Sequence, residues 1–179
     1  SALALLRSAD HRVYALTTAE RDRLDVVVLD GERQVLGFLT RAWRSLRMRG
    51  LEGRSAISLR SVAERAALLM HAARSAGVRT PELLGVAEAA DSMLLIQEHA
   101  AGTVSLRDLD ADALTDEVLR ECWHQLLRAH SVGLAHRSLT ADVVLVAQTH
   151  GEPQVWLTGW ENGDIASSTP ARRMDHPQM

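Results

Sequence analysis

Two neighbouring stretches constrain this chain more than any other: Leu134 to Val146, LAHRSLTADVVLV, and Val155 to Ala166, VWLTGWENGDIA. The aliphatic runs Val143 to Val146 and Val155 to Leu157 read as two short strands around a turn at Thr149-His150-Gly151. A polar loop opening on His136-Arg137-Ser138 precedes the first strand, and a glycine-bounded segment, Gly159-Trp160-Glu161, follows the second. A helix feeds this unit from the N-terminal side. Thr115-Asp116-Glu117 opens it, Val118, Leu119, Cys122, Leu126 and Ala129 form its apolar face, and it closes at Ser131 to Gly133. Trp123 and His124 are expected to turn away from that face.

The stretches further upstream read mostly as strands. Ala2 to Leu6 and His11 to Thr17 are two of them, the second alternating Val13 and Ala15 against Tyr14 and Leu16. Asp25 to Asp30 is a buried strand ended by Asp30-Gly31, and Leu83 to Glu88 and Met93 to Glu98 are two more joined at Ala90-Asp91-Ser92. Between them, Glu32 to Arg49 repeats apolar residues at Val35, Phe38, Leu39, Ala42, Trp43 and Leu46, the period of an amphipathic helix. Ser61 and Glu64 form an S-x-x-E capping box ahead of a helix that Gly77 stops. Leu106 to Asp112 reads as a short connecting helix.

At 179 residues the chain can bury a real core, and its net charge of −3 gives it no general pull toward nucleic acid. Cys122 is the single cysteine, and the eight histidines show no ligand spacing, so no metal is expected. Cys122 itself is expected to be a core thiol. No apolar run approaches the roughly 20 residues of a membrane-spanning helix. The patch Arg41, Trp43, Arg44, Arg47 and Arg49 fits a solvated helix end, a helix resting on an anionic lipid surface, or a phosphate-binding patch.

The cadence of His136-Arg137-Ser138-Leu139 to Val143-Val144-Leu145-Val146, with Gly159-Trp160-Glu161 after the hairpin, resembles the H-R-D-x-x-x-x-N and D-F-G signatures of the protein-kinase-like superfamily. The resemblance is closest to the aminoglycoside-phosphotransferase and RIO-type branch. More narrowly, VLDGERQVLGFLTRAWRSLRMRG and LAHRSLTADVVLV look like the degenerate kinase-like domain of actinobacterial membrane proteins that also carry a lysylphosphatidylglycerol-synthase-type flippase bundle. This implies an α+β fold. Residues 1–98 would form a small lobe with an antiparallel five-stranded sheet and two helices. Residues 99–179 would form the hinge and a truncated, mainly helical large lobe with a β-hairpin. Gln97, Glu98 and His99 would be the hinge.

Set against that family pattern, the charged groups of phosphoryl transfer are missing. The chain contains no lysine, its twenty basic residues being arginine. Val27 stands on the strand where the family keeps its lysine, and Glu64 could occupy the place of that lysine's glutamate partner. Ser138 replaces the base beside His136, Val143 replaces the asparagine, and Gly159 replaces the metal-binding aspartate. The turn Arg7-Ser8-Ala9-Asp10 holds no glycine for a phosphate lid. The resemblance thus implies a pseudokinase: a regulatory or binding module with no catalytic residues, expecting no cofactor and leaving room for weak ATP binding. Its partner would be another protein or the rest of its own membrane protein, at the cytoplasmic inner face of the membrane. Two alternatives are an unorthodox phosphotransferase using Asp142 and Asp164, and a structural domain docking on lipid through the Arg-rich helix.

Overall fold

The computed structural model describes residues 3–5, 12–18, 22–30, 59–89, 92–147 and 151–165. The expected helix over Glu32 to Arg49, with Arg41, Trp43, Arg44, Arg47 and Arg49, lies outside them. So does the turn Arg7 to Asp10.

The described chain is α+β. Strands β1 (Leu3–Leu5), β2 (Arg12–Thr17), β3 (Arg23–Asp30), β4 (Leu83–Ala89) and β5 (Ser92–Glu98) form one antiparallel sheet in the order β1-β2-β3-β5-β4. The alternation predicted for β2 holds: Val13 and Ala15 are buried, while Leu16 is exposed. On β3 the inward residues are Asp25, Val27 and Leu29, and Val27 sits between Val13 of β2 and Leu95 of β5.

Helix α1 (Leu59–Ser75) packs across this sheet, burying Ala63, Ala66, Leu69, Met70 and Ala73 at helical spacing. Ser61 lies inside the described helix rather than ahead of it, so it is not the N-cap that the S-x-x-E pattern predicts. Glu64 instead reaches Arg60 one turn back, 3.1 Å away at the exposed surface. The stop at Gly77 is as expected. Gly77 has φ +80°, Val78 N–H donates to Ala73 C=O and Gly77 N–H to Arg74 C=O, which is a Schellman motif that satisfies the last carbonyls.

The second half carries helix α2 (Asp116–Ser131), capped by the Thr115 hydroxyl accepting from Val118 N–H. It also carries short strands β6 (Thr103–Ser105), β7 (Leu134–Ala135), β8 (Val144–Ala147), β9 (Gln154–Leu157) and β10 (Asp164–Ile165). β6, β8 and β9 form one small antiparallel sheet, and β10 pairs with β7. The described part of this half is therefore richer in strand than the mainly helical expectation. The connecting helix expected at Leu106 to Asp112 is not formed: a turn follows β6 there, and a single 3-10 turn stands at Ala111–Ala113. The Ser105 hydroxyl donates to Asp108 at 2.6 Å and holds a turn there, a local bond that competes with helix formation.

Two apolar cores result, and α1 serves both. Ala63 and Ala66 join Val13, Val27, Leu29, Met93 and Leu95 under the large sheet. Leu69, Met70 and Ala73 join the core built by α2, β8, β9 and Trp160. On α2, Val118, Cys122, Leu126 and Ala129 face this core as predicted, but Leu119 is 37% exposed and Gln125 is fully buried in its place. Among the described residues no helix is long and apolar enough to cross a membrane.

Thr80, which follows α1, is 1% exposed, and its hydroxyl has no hydrogen-bond partner among the described residues. A buried hydroxyl without a partner costs about 1–3 kcal/mol relative to an apolar group of its shape. Thr80→Val is expected to raise stability by about 1 kcal/mol, or roughly 2–4 °C in Tm for a chain of this size. A fall in Tm in a thermal melt would show that the hydroxyl is bonded.

Candidate functional site

After α2, Gly133 (φ +81°) turns the chain into β7, and the His-Arg-Ser loop follows. His136 is 1% exposed, and its Nε2–H donates to the Thr158 carbonyl at 2.6 Å. Its ring packs against Trp160 with centroids 4.9 Å apart and planes tilted by 58°. The Val143 carbonyl accepts twice from Thr158, from N–H at 2.9 Å and from the hydroxyl at 3.0 Å. The loop and the segment after the hairpin are thus stitched together by a histidine and a threonine. His136 serves as a structural clasp.

Thr158 leads into Gly159, whose φ of +80° is the left-handed conformation that only glycine adopts without strain. A Cβ placed on Gly159 would lie 2.8 Å from Val143 Cγ1, so Val143 occupies the space that a side chain here would need. A cleft lies between the two halves, lined by Val13, Val27, Gln97, Val143, Thr158, Gly159 and Glu161. Its free volume is about 20 Å³, room for a single water. The predicted positions Val27, Gln97, Val143 and Gly159 therefore meet in one place. Glu64 and Ser138 do not line it.

The two carboxylates of the alternative reading are engaged elsewhere. Asp142 forms a bidentate pair with Arg107, with one of its oxygens 2.7 Å from Nη2. The Arg107 hydrogen bond holds its carboxyl below the usual aspartate range. Asp164 accepts from Arg65 of α1 and, at 2.6 Å, from Arg137, whose backbone is left-handed at φ +65°. In that position Asp164 pairs across β7 with Ala135, while Gly159 takes the place against Val143.

No family model matches this chain. A comparison with characterised proteins gives no relative either.

The hinge residues differ in fate. Gln97 is buried on the cleft, whereas Glu98 is exposed and its carboxylate accepts from Glu82 N–H at 3.4 Å. His99 Nδ1 lies 2.9 Å from Asp25, an aspartate only 1% exposed on β3. The sequence reading missed this buried pair. Its signal was present, because Asp25 has the same strand parity as Val27 and Leu29 and so had to point inward.

The reading also missed the Gln125 network. Gln125 Nε2–H donates to Glu121 at 2.6 Å, its Oε1 accepts from Arg79 N–H at 2.7 Å, and Arg79 pairs through its guanidinium with Glu121. Cys122, between them, is the core thiol expected. Burial pushes its pKa up to about 11, so at neutral pH it is a thiol and a poor nucleophile.

Proposed function

We propose that this chain is a kinase-like module without phosphotransfer chemistry, acting as a regulatory or binding part of a larger membrane-associated protein. The observation that carries the reading is the contact of Val143 with Gly159 in the cleft. Phosphoryl transfer is positioning plus charge stabilisation around magnesium. At this cleft the positions matching the family's lysine, asparagine and metal-binding aspartate are held by Val27, Val143 and Gly159, and among the described lining residues Glu161 supplies a single carboxylate.

Three further observations support the reading. The order of elements agrees with what the sequence resemblance implies: a five-stranded antiparallel sheet, a helix upon it, an extended passage after Glu98, a second helix, the His136 loop and a hairpin. The cleft volume of about 20 Å³ is far below the roughly 300 Å³ or more of a small-molecule pocket. Asp142 and Asp164 are each neutralised by arginine, which opposes their use as metal ligands. The membrane link rests on the sequence resemblance alone.

A thermal-shift titration tests the reading. With about 1 mM ATP and magnesium the melting temperature is expected to stay within about 1 °C of the unliganded chain, as for a Kd weaker than about 1 mM. A magnesium-dependent rise of several degrees that Asp164→Ala abolishes would instead establish the unorthodox phosphotransferase.

A further inference from the structure

Away from the cleft, α2 carries a second apolar stripe beside its buried face. Leu119 and Leu127 are 37% and 56% exposed, and with the partly buried Trp123 they stand at i, i+4 and i+8, a row about 12 Å long at 1.5 Å per residue. Leu114, just before the helix, and Val132, just after it, are also exposed. One position along, Arg120, His124 and Arg128 form a parallel basic row. His124 is 54% exposed, and Arg128 reaches the Gly77 carbonyl with one of its donors. The N-terminal end of the helix has the opposite sign, with Asp112, Asp116 and Glu117 all exposed.

An exposed leucine by itself signifies nothing, but a periodic apolar row bordered by two arginines, with His124 between them beside Glu121, has the form of a helix-docking face. We propose that this face of α2 is a docking surface for an amphipathic helix of a partner protein whose edge is acidic where it meets Arg120 and Arg128 and basic where it meets Asp112, Asp116 and Glu117. The apolar row receives the partner's apolar stripe. Carboxylates along that partner's edge meet Arg120 and Arg128.

The charge reversal along α2 decides between occupants. A uniformly anionic bilayer would gain at the arginine row and lose at Asp112, Asp116 and Glu117. A rod with its own charge pattern can match both ends. One helix row gives a small interface, so the affinity is expected to be modest, with Kd roughly 10–100 µM. The inference concerns a face remote from the cleft, and it stands whether or not the cleft proves silent.

The test is a selection on the immobilised full chain from a displayed library of amphipathic helical peptides whose flanking positions vary between Glu, Gln and Lys. Enriched clones are expected to carry Glu towards one end and Lys towards the other, and as synthetic peptides to bind at least about tenfold more weakly to Leu127→Arg and to Arg120→Glu. Both substitutions are at exposed positions, and each variant's thermal melt is compared with that of the parent chain. Four results would overturn the proposal. The first is no enrichment. The second is enrichment of clones that Arg120→Glu binds more tightly, or of clones that bind all variants equally. The third is sedimentation with phosphatidylcholine and phosphatidylglycerol vesicles that Leu127→Arg abolishes, which makes a membrane the occupant. The fourth is a dimer in equilibrium sedimentation that the same variant dissolves, which makes a second copy the occupant.

Discussion

Gly159→Ala is expected to destabilise the chain by about 2–4 kcal/mol, although it adds one methyl group. Two costs combine. A left-handed backbone costs an L-residue about 1–2 kcal/mol, and forcing a methyl into a packed site costs typically about 1–3 kcal/mol. Gly159 sits at φ +80°. The added carbon would meet Val143 Cγ1 at 2.8 Å and Val143 Cβ at 3.3 Å, and the second atom is too close to the backbone to swing away. The two costs separate in a double-mutant cycle. Val143→Ala removes the Cγ1 clash and leaves the Cβ contact and the backbone strain, so Gly159→Ala combined with Val143→Ala is expected to cost at least about 1 kcal/mol less than the sum of the single changes. Urea unfolding of the four proteins measures this, and strict additivity would refute the contact. For function, an acidic residue at position 159 has no space until Val143 changes too.

Gln125→Leu is expected to cost about 2–4 kcal/mol, which is large for a swap of similar shape. Gln125 is fully buried and joins Arg79 N–H to the Glu121 carboxylate, so a leucine leaves a buried donor unmade and a carboxylate short of a partner. The effect depends on pH. Burial alone would raise the Glu121 pKa, but hydrogen bonds from Gln125 and Arg79 and the Arg79 charge outweigh it and hold the carboxyl below its ordinary value. A depressed folded-state pKa contributes stability that is fully present above the unfolded value of about 4.3 and is lost as pH falls through the folded value. The stability gap between wild type and Gln125→Leu is therefore expected to be widest near neutrality and to narrow in acid. Denaturant titrations at neutral pH and below about pH 4 measure this, and a gap that widens in acid would contradict it.

Much of the fold could be read where short-range chemistry decides. The Val13/Ala15 parity, the Gly77 stop and the Thr115 cap each depend on a few neighbouring residues, and each is found as expected. The meeting of Val27, Val143 and Gly159 is legible only through the spacing of the family pattern that the chain resembles, since Val27 and Val143 are 116 positions apart. Long-range polar pairing was not legible. Asp25 and His99 are 74 residues apart in sequence, and Arg65 and Asp164 are 99 apart. Ser61 and Glu64 mislead because an S-x-x-E pattern fits a helix interior equally well, and Ser61 is itself helical. Gln125 has no place in the sequence reading, although its position three residues after Cys122 turns it inward.

Helix α1 spans 17 residues, roughly 25 Å, and is gripped near one end by the large sheet and near the other by the core around Trp160. A rod seated in two sockets transmits torque. Neither half can tilt without carrying α1 with it, so a force applied to the half that holds α2 would reach the large sheet through a stiff lever.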